Sequence, residues 1–172
     1  MSDKRGRGLI GIPHLDTVPF KFAQSMINLS ISRFGDIGDV NIHFLGNHYT
    51  HIAREEIAET AVKGGYDWLC FLDSDMCFPA DILKRLLAWN LPVVGGLCFK
   101  RRWPPLPTLF AVDETADNGG YDANGYINAL RTLTEWSAPL QEVDATGCAC
   151  LLIRREALEA VPPPRFELNP WS

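Results

Sequence analysis

The stretch 67-DWLCFLDSDMCFP-79 decides how the rest of the chain is interpreted. Its five apolar residues, 68–72, are followed by two carboxylates one residue apart, Asp73 and Asp75. A run that is apolar at every position is typical of a strand covered on both faces, as in the middle of a parallel sheet. Ionised carboxylates this close repel each other and are costly to remove from water without a positive partner. The stretch therefore predicts a buried strand that ends at a site for something positive.

The composition fits one soluble globular domain. The chain has 172 residues, of which 47% are hydrophobic and 22% are charged, and its formal net charge is −5. This acidic balance argues against a general nucleic-acid binder, because such proteins gain affinity by neutralising phosphates. No apolar run reaches the ~20 residues of a membrane span. We expect a cytoplasmic protein with no membrane span.

The cysteines indicate packing rather than chemistry. They are odd in number and form no CxxC pair, at Cys70, Cys77, Cys98, Cys148 and Cys150. Free cysteines inside hydrophobic runs behave as small apolar residues. We therefore expect reduced thiols and no zinc or redox site.

Hydrophobic patterns over the first hundred residues alternate between strand and helix. Strands are predicted at residues 9–14, 40–45, 67–73 and 91–99. Amphipathic helices fill the segments between them. This order predicts an α/β fold with a mostly parallel central sheet flanked by helices. Beyond it, Asn124-Gly125 predicts a small β-hairpin, and 142–161 predicts a further strand followed by a short helix.

The carboxylate pair lies where an open α/β sheet binds ligands, at the carboxyl end of a strand. Residues i and i+2 of an extended chain point the same way, so Asp73 and Asp75 can address one cation. Mn²⁺ or Mg²⁺ prefers oxygen ligands and commonly binds one or two carboxylates together with substrate phosphates. We expect such an ion here, facing a diphosphate. The alternative is a plain polar turn.

With these residues in view, the chain resembles a glycosyltransferase of the GT-A fold, closest to the family 2-like enzymes of bacteria and phages. The most specific part is YDWLCFLDSDMCFPADILKRLL, residues 66–87, followed by LPVVGGLCFKRR, residues 91–102. Weaker parts are IGIPH, HIAREEIAETAV and ATGCACLLIRREALEAV. The resemblance implies a single GT-A-like domain, residues 1–172. Residues 1–100 would be its nucleotide-sugar-binding half and 101–172 its acceptor-side half.

The resemblance also implies a nucleotide-sugar donor, with UDP as the favoured nucleotide. Asp73 and Asp75 would hold the metal that bridges the diphosphate, and Ser74 would lie against the ribose. The other nucleotide-binding residues that it implies are Pro13, His14, Asp16, Asn47 and Arg54. The alternative for Arg54 is an exposed helical arginine paired with a nearby glutamate. The alternative for His14 is a strand-end histidine with a backbone partner.

An acceptor site is implied in the second half of the chain. Its residues would be Gly96, Lys100, Arg101, Trp103 and Gly147. A basic loop beside an aromatic ring can hold a phosphate, or stack on a sugar or a base, while a solvated charged loop is the alternative. The acceptor would be a polysaccharide, a phage protein or a hypermodified DNA base. A phage-encoded enzyme would act in the host cytoplasm.

The general base is where this chain departs from the family. Inverting members carry a Glu-Asp segment, and often a histidine, at positions that would lie beyond Ser172. The candidate catalytic residue is Asp144, and Glu167 is the other carboxylate in this half. Three explanations are open. The chain is a truncated core, it takes its general base from another residue or chain, or it binds the donor without efficient transfer.

Two other functions are open for the same motif. One is an Asp-nucleophile phosphatase or phosphotransferase of the haloacid-dehalogenase type, although that signature belongs on the first strand and has Thr or Val where this chain has Cys77. The other is a catalytically silent nucleotide-sugar-binding module. The leading prediction is a metal-dependent, inverting glycosyltransferase that acts by direct displacement.

Overall fold

The computed structural model describes residues 6–32, 37–123, 125 and 127–167. The chain divides into two compact units. The first contains residues 1–96 and 148–172, and the second contains residues 97–147. The second unit is therefore an insertion in the sequence of the first.

The strands, in chain order, are β1 (Gly8–His14), β2 (Val40–Gly46), β3 (Trp68–Leu72), β4 (Val93–Gly95), β5 (Leu109–Val112), β6 (Leu130–Thr132), β7 (Ala145–Thr146) and β8 (Cys150–Arg154). The helices are α1 (Phe20–Ile31), α2 (Thr50–Lys63), α3 (Ile82–Ala88) and α4 (Arg155–Ala160). The predicted order of alternating strands and helices is confirmed through β4. So is the later strand followed by a short helix, at β8 and α4. Among the described residues, no helix has the length and apolar character of a membrane span.

The first unit is built on a five-stranded sheet with the order β2-β1-β3-β8-β4. Strand β1 is parallel to both β2 and β3, whereas β8 is antiparallel to both β3 and β4. Strand β4 therefore runs in the same direction as β3. The predicted mixed α/β architecture with a mostly parallel sheet is confirmed. The antiparallel β8 beside β3 is a feature that the hydrophobic pattern did not specify.

Strand β3 lies in the middle of this sheet because it is apolar on both faces. All of its residues are 0% exposed. On the face that α2 covers, Leu69 and Phe71 pack in one cluster with Ile57 of α2. Gly11 of β1 lets α2 approach closely, since a Cβ at this position would lie 2.5 Å from Cγ2 of Ile57. The core thus joins α2 to β1 and β3.

The second unit contains a three-stranded antiparallel sheet with the order β6-β5-β7. Before β6, Tyr121 pairs with Ile127 in an antiparallel bridge. Gly125 has φ +82°, which is a turn conformation that glycine adopts readily. The chain therefore reverses where a hairpin was predicted, although Asn124 itself lies outside the described residues.

Isoleucine-to-alanine substitutions in two helices test where the core lies. We expect Ile57→Ala to lower the free energy of unfolding by about 2–5 kcal/mol, because the side chain is fully buried against the sheet. The matched control is Ile27→Ala in α1, where the side chain is 57% exposed and the expected loss is under about 1 kcal/mol. Urea denaturation followed by tryptophan fluorescence measures both values. Equal losses would contradict this account of the core.

Candidate functional site

A positive side chain, that of Arg54, lies against the carboxylate at the end of β3. This residue lies in the second turn of α2, and its Nη2 donates to both carboxylate oxygens of Asp73, at 2.8 and 2.9 Å. The side chains of Arg54 and Asp73 are 17% and 25% exposed. Charge-assisted contacts of this kind are strong when they are shielded from water. The ion pair therefore balances the charge that follows a fully buried strand.

The chain turns immediately after β3. The N–H of Asp73 donates to the carbonyl of Ala149, at 2.9 Å, and the carbonyl of Asp73 accepts from the N–H of Met76, at 3.0 Å. Ser74 in this turn is half-buried and Asp75 is exposed. The carboxylates are thus presented by a turn, as in the alternative prediction, and not by extended chain.

The carboxylate oxygens of this turn are of the type that hard cations prefer as ligands. Among the residues described, no three His, Cys, Asp or Glu side chains group together as a metal site. A carboxylate has about four lone-pair positions, so Asp73 keeps lone pairs for a cation in addition to its contact with Arg54. Mg²⁺ typically takes only one or two carboxylates and completes its shell with water and phosphates. Asp73 and Asp75 supply oxygens of that kind.

A cavity of about 450 Å³ lies at the N-terminal end of α2. It is lined by residues 49–51, Arg54, Cys148 and residues 165–167. The rings of Tyr49 and His51 are nearly parallel, with their centroids 6.0 Å apart. Arg54 belongs both to this lining and to the ion pair with Asp73. The cavity and the carboxylate turn therefore share one side chain.

The segment after α4 reaches this cavity because Glu55 holds it. Nη1 of Arg165 contacts Oε1 of Glu55 at 2.9 Å. The backbone N–H groups of Arg165 and Phe166 both donate to Oε2 of Glu55, at 2.6 and 3.1 Å. The ring of Phe166 meets the ring of Phe71 edge-on, with centroids 5.3 Å apart. Sequence reasoning found no pattern in this segment, and no local signal pairs Glu55 with a residue so far along the chain.

The thiol of Cys148 and Nε of Arg54 are both shielded from water. Burial raises the pKa of the Cys148 thiol, and the negative charge of Asp73 adds to this shift while Arg54 opposes it. Nε of Arg54 is buried and makes no hydrogen bond. Water is therefore partly excluded around Arg54, whereas Asp75 is exposed to solvent.

The nucleotide-binding residues predicted on the first two strands lie at the same edge of the sheet as Asp73. Pro13 is buried and His14 is half-buried at the end of β1, while Asp16 is exposed just beyond. Asn47 follows β2, is exposed and has φ +63°. The strands β1, β2 and β3 are parallel, so the ends at which these residues lie face one direction.

The surroundings of His14 match the alternative prediction for it. Its Nδ1 lies against the carbonyl of Leu15, and its ring meets that of Phe44 edge-on, with centroids 6.0 Å apart. A Cβ at Gly46 would lie 2.5 Å from the His14 ring. The histidine is thus packed by its neighbours at the ends of two strands.

The residues predicted for the acceptor are divided between the units. Gly96 belongs to the first unit, where a Cβ would lie 2.8 Å from Sγ of Cys150. Lys100, Arg101 and Trp103 belong to the second unit. Nζ of Lys100 lies 5.0 Å from the ring centroid of Phe110, Arg101 is exposed, and Trp103 is 91% exposed.

The other two predicted residues of the second unit have evident structural roles. Asp144 accepts the N–H of Val112 through Oδ2, at 2.8 Å, and its own N–H donates to the carbonyl of Phe110, at 3.0 Å. A Cβ at Gly147 would lie 3.3 Å from the side chain of Thr108. Both residues thus pack against the two ends of β5, the middle strand of the small sheet, and nothing in these contacts tests their predicted roles.

Comparisons with known proteins identify the fold but not the chemistry. No protein-family model matches the chain, and no curated protein sequence does so. Among solved structures, the chain is similar to the crystal structure of A197 from STIV, with a TM-score of 0.58 and 18% sequence identity. The likeness covers 94% of this chain and 71% of that chain. At this identity it supports a shared α/β architecture alone.

Breaking the ion pair of Arg54 should affect stability more than breaking an exposed pair. We expect Arg54→Met to lower the free energy of unfolding by about 1–3 kcal/mol, because Asp73 then lacks its partner in a partly buried position. The control is Arg85→Met, which breaks the exposed pair with Asp81 and should cost under about 1 kcal/mol. Urea denaturation checks both. An equal effect of the two substitutions would contradict the role assigned to Arg54.

The raised pKa of Cys148 predicts how its alkylation depends on pH. Only the thiolate reacts with iodoacetamide, so a raised pKa lowers the reactive fraction at neutral pH. In a Cys77→Ser background, which removes the exposed thiol, we expect the rate at Cys148 to be still rising above pH 9. Site-resolved mass spectrometry measures this rate. A plateau below pH 8 would contradict the expected direction.

Proposed function

We propose that this chain is a metal-dependent glycosyltransferase of the GT-A type that uses a nucleotide-sugar donor, with UDP as the favoured nucleotide. The observation that carries the proposal is the end of β3, where Asp73 is held by Arg54 beside a cavity and Asp75 follows in an exposed turn. The sequence resemblance centred on residues 66–87 assigns this turn to a diphosphate and its metal ion.

The arrangement of the sheet supports the proposal. Four strands run in one direction and β8 alone runs against them, between β3 and β4. Ligands of open α/β sheets bind outside the carboxyl ends of the strands. The ends of β1, β2 and β3 carry His14, Asn47 and Asp73, which are three of the positions that the resemblance assigns to the donor.

Mn²⁺ or Mg²⁺ would be held by Asp75 and by the lone pairs of Asp73 that its contact with Arg54 leaves unused. When bound, such an ion would supply positive charge beside the donor's diphosphate. The protein's own contribution is to hold these oxygens in place. Arg54 fixes the orientation of Asp73, and the N–H of Asp73 is fixed by the carbonyl of Ala149.

The reaction would be a direct displacement at the anomeric carbon of the sugar. An acceptor hydroxyl forms the new bond and gives its proton to a base, for which Asp144 is the predicted carboxylate. The bond to the diphosphate breaks, and negative charge grows on the leaving group. The guanidinium of Arg54 contacts Asp73 in this turn and favours that charge. Most of the rate would come from positioning and from charge stabilisation. The acceptor classes are a polysaccharide, a phage protein and a hypermodified DNA base.

A catalytically silent nucleotide-sugar-binding module is the second candidate. One observation favours it: Asp144, the predicted catalytic carboxylate, already accepts a backbone N–H at 2.8 Å. The Asp-nucleophile phosphatase is less well supported, because its signature belongs on the first strand, whereas Asp73 follows β3. Release of UDP from a UDP-sugar separates the transferase from the silent module, which would bind the donor and leave it intact.

Titration calorimetry tests the proposal. We expect UDP and UDP-sugars to bind more tightly with Mn²⁺ than with EDTA, and Asp75→Ala to abolish that difference, with a loss of about tenfold or more in affinity. The control is Asp39→Ala, because this exposed carboxylate precedes β2 at the opposite end of the strand. GDP and GDP-sugars are measured in parallel to test the choice of nucleotide. Unchanged affinity in Asp75→Ala would remove the metal site from the proposal.

A further inference from the structure

In the segment 161–167, which follows α4, residues 165–167 form part of the wall of the cavity beside Arg54. Sequence reasoning assigned no role to its contacts, and the resemblance reaches only to about residue 160. We propose that this segment is a ligand-binding wall, in which Glu167 and Phe166 contact the uncharged, hydroxyl-bearing ring of the donor and Glu55 and Arg165 position them. This inference rests on the proposed function for the identity of the donor.

The segment 161–167 is fixed at one point. Glu55 accepts three hydrogen bonds from it, from Nη1 and the backbone N–H of Arg165 and from the backbone N–H of Phe166. Nε of Arg165 also donates to the carbonyl of Leu158, at 2.8 Å. The side chains of Arg165 and Glu55 are only 10% and 16% exposed. A shielded ion pair with this many contacts holds its backbone firmly, and we call it the Glu55–Arg165 latch.

The latch places the next two residues at the cavity. Phe166 is held by its edge-on contact with Phe71, a fully buried residue of β3. Glu167 follows it and is exposed at the lining of the same cavity. Glu55 is the neighbour of Arg54 in α2, so adjacent residues of one helix fix Asp73 and the segment 161–167.

The lining of the cavity favours one kind of ligand over another. Both arginines of the lining are already paired, Arg54 with Asp73 and Arg165 with Glu55. The carboxylate of Glu167 would repel a phosphate but accepts hydrogen bonds from hydroxyl groups. The rings of Tyr49, His51 and Phe166 offer apolar faces and edges to a ring. The lining therefore suits a neutral ring with hydroxyl groups, which in the donor is the ribose or the sugar.

Alkylation of Cys148 without any ligand tests the latch. In the Cys77→Ser background, Glu55→Gln should raise the rate of alkylation at Cys148 by about tenfold, because the wall opens locally. The control Glu56→Gln changes the exposed neighbour in α2 and should leave the rate unchanged. Global unfolding is recognised separately, since it would also label the buried thiols of Cys70, Cys98 and Cys150.

A second variant covers the case in which Glu55→Gln destabilises the fold by leaving Arg165 unpaired. The double variant Glu55→Gln/Arg165→Met removes both charges, so no buried charge lacks a partner. It should show the same faster labelling, confined to Cys148. Unchanged labelling of Cys148 in the double variant overturns the role of the latch, and this result does not depend on whether any nucleotide binds.

Protection of Cys148 tests the ligand. With Mn²⁺, UDP-glucose, UDP-galactose or UDP-N-acetylglucosamine should slow alkylation, and Glu167→Gln should weaken that protection by about tenfold. Glu156→Gln, an exposed carboxylate of α4, is the control. If uridine also protects Cys148 from alkylation, the cavity binds the ribose. If only the UDP-sugars protect it, the cavity binds the sugar. Protection by inorganic phosphate alone would overturn the inference.

The two proposals fail in different ways. If UDP-sugars bind in a manner that depends on Asp75 but leave Cys148 fully reactive, the proposed function stands and the assignment of the cavity falls. If no nucleotide or nucleotide-sugar binds, the proposed function falls together with the assignment of the ligand. The ligand-free labelling then still decides whether Glu55 and Arg165 position the wall.

Discussion

The fold and the site both depend on one constraint: a completely buried strand ends at a carboxylate. Every residue of β3 is inaccessible to water, and Asp73 follows directly. A charge at this position requires a partner, because neither solvent nor the apolar neighbours can stabilise it fully. Arg54 is that partner. The ion pair ties α2 to the end of β3, so the helix that covers the core also determines the geometry of the site.

Helix α2 performs two tasks with adjacent residues. Arg54 contacts Asp73, and Glu55 contacts Arg165 of the segment after α4. Both pairs are largely shielded from water, and both join parts of the chain that are distant in sequence. The buried side of the same helix carries Ala53 and Ile57, which pack on the sheet. Core packing and site construction are therefore coupled, and a shift of α2 would change the cavity and the carboxylate turn together.

The sequence predicts local structure well and long-range pairing poorly, for physical reasons. The spacing of apolar residues locates β1 to β3 and their helices, because burial of one face or of both faces determines which positions are apolar. It does not show that β8 inserts antiparallel beside β3, since an apolar strand has the same composition in either direction. It also misses the bond between Glu55 and Arg165, which depends on tertiary placement alone. For Asp144, the sequence offers a carboxylate, and only the contact with Val112 shows its structural use.

Carboxylates secure the described part of the fold and also supply the exposed groups of the proposed donor site. Glu55, Asp73 and Asp144 accept hydrogen bonds from an arginine or from the backbone, and each of them holds one segment against another. Asp75 and Glu167 are exposed, one in the turn after β3 and the other at the cavity. A carboxylate that serves a ligand must present at least some of its lone pairs to that ligand, so exposure suits Asp75 and Glu167 to this task, and Asp73 meets it with the lone pairs that Arg54 leaves unused. The contacts of Asp73 and Glu55 then hold the turn and the segment after α4 in position.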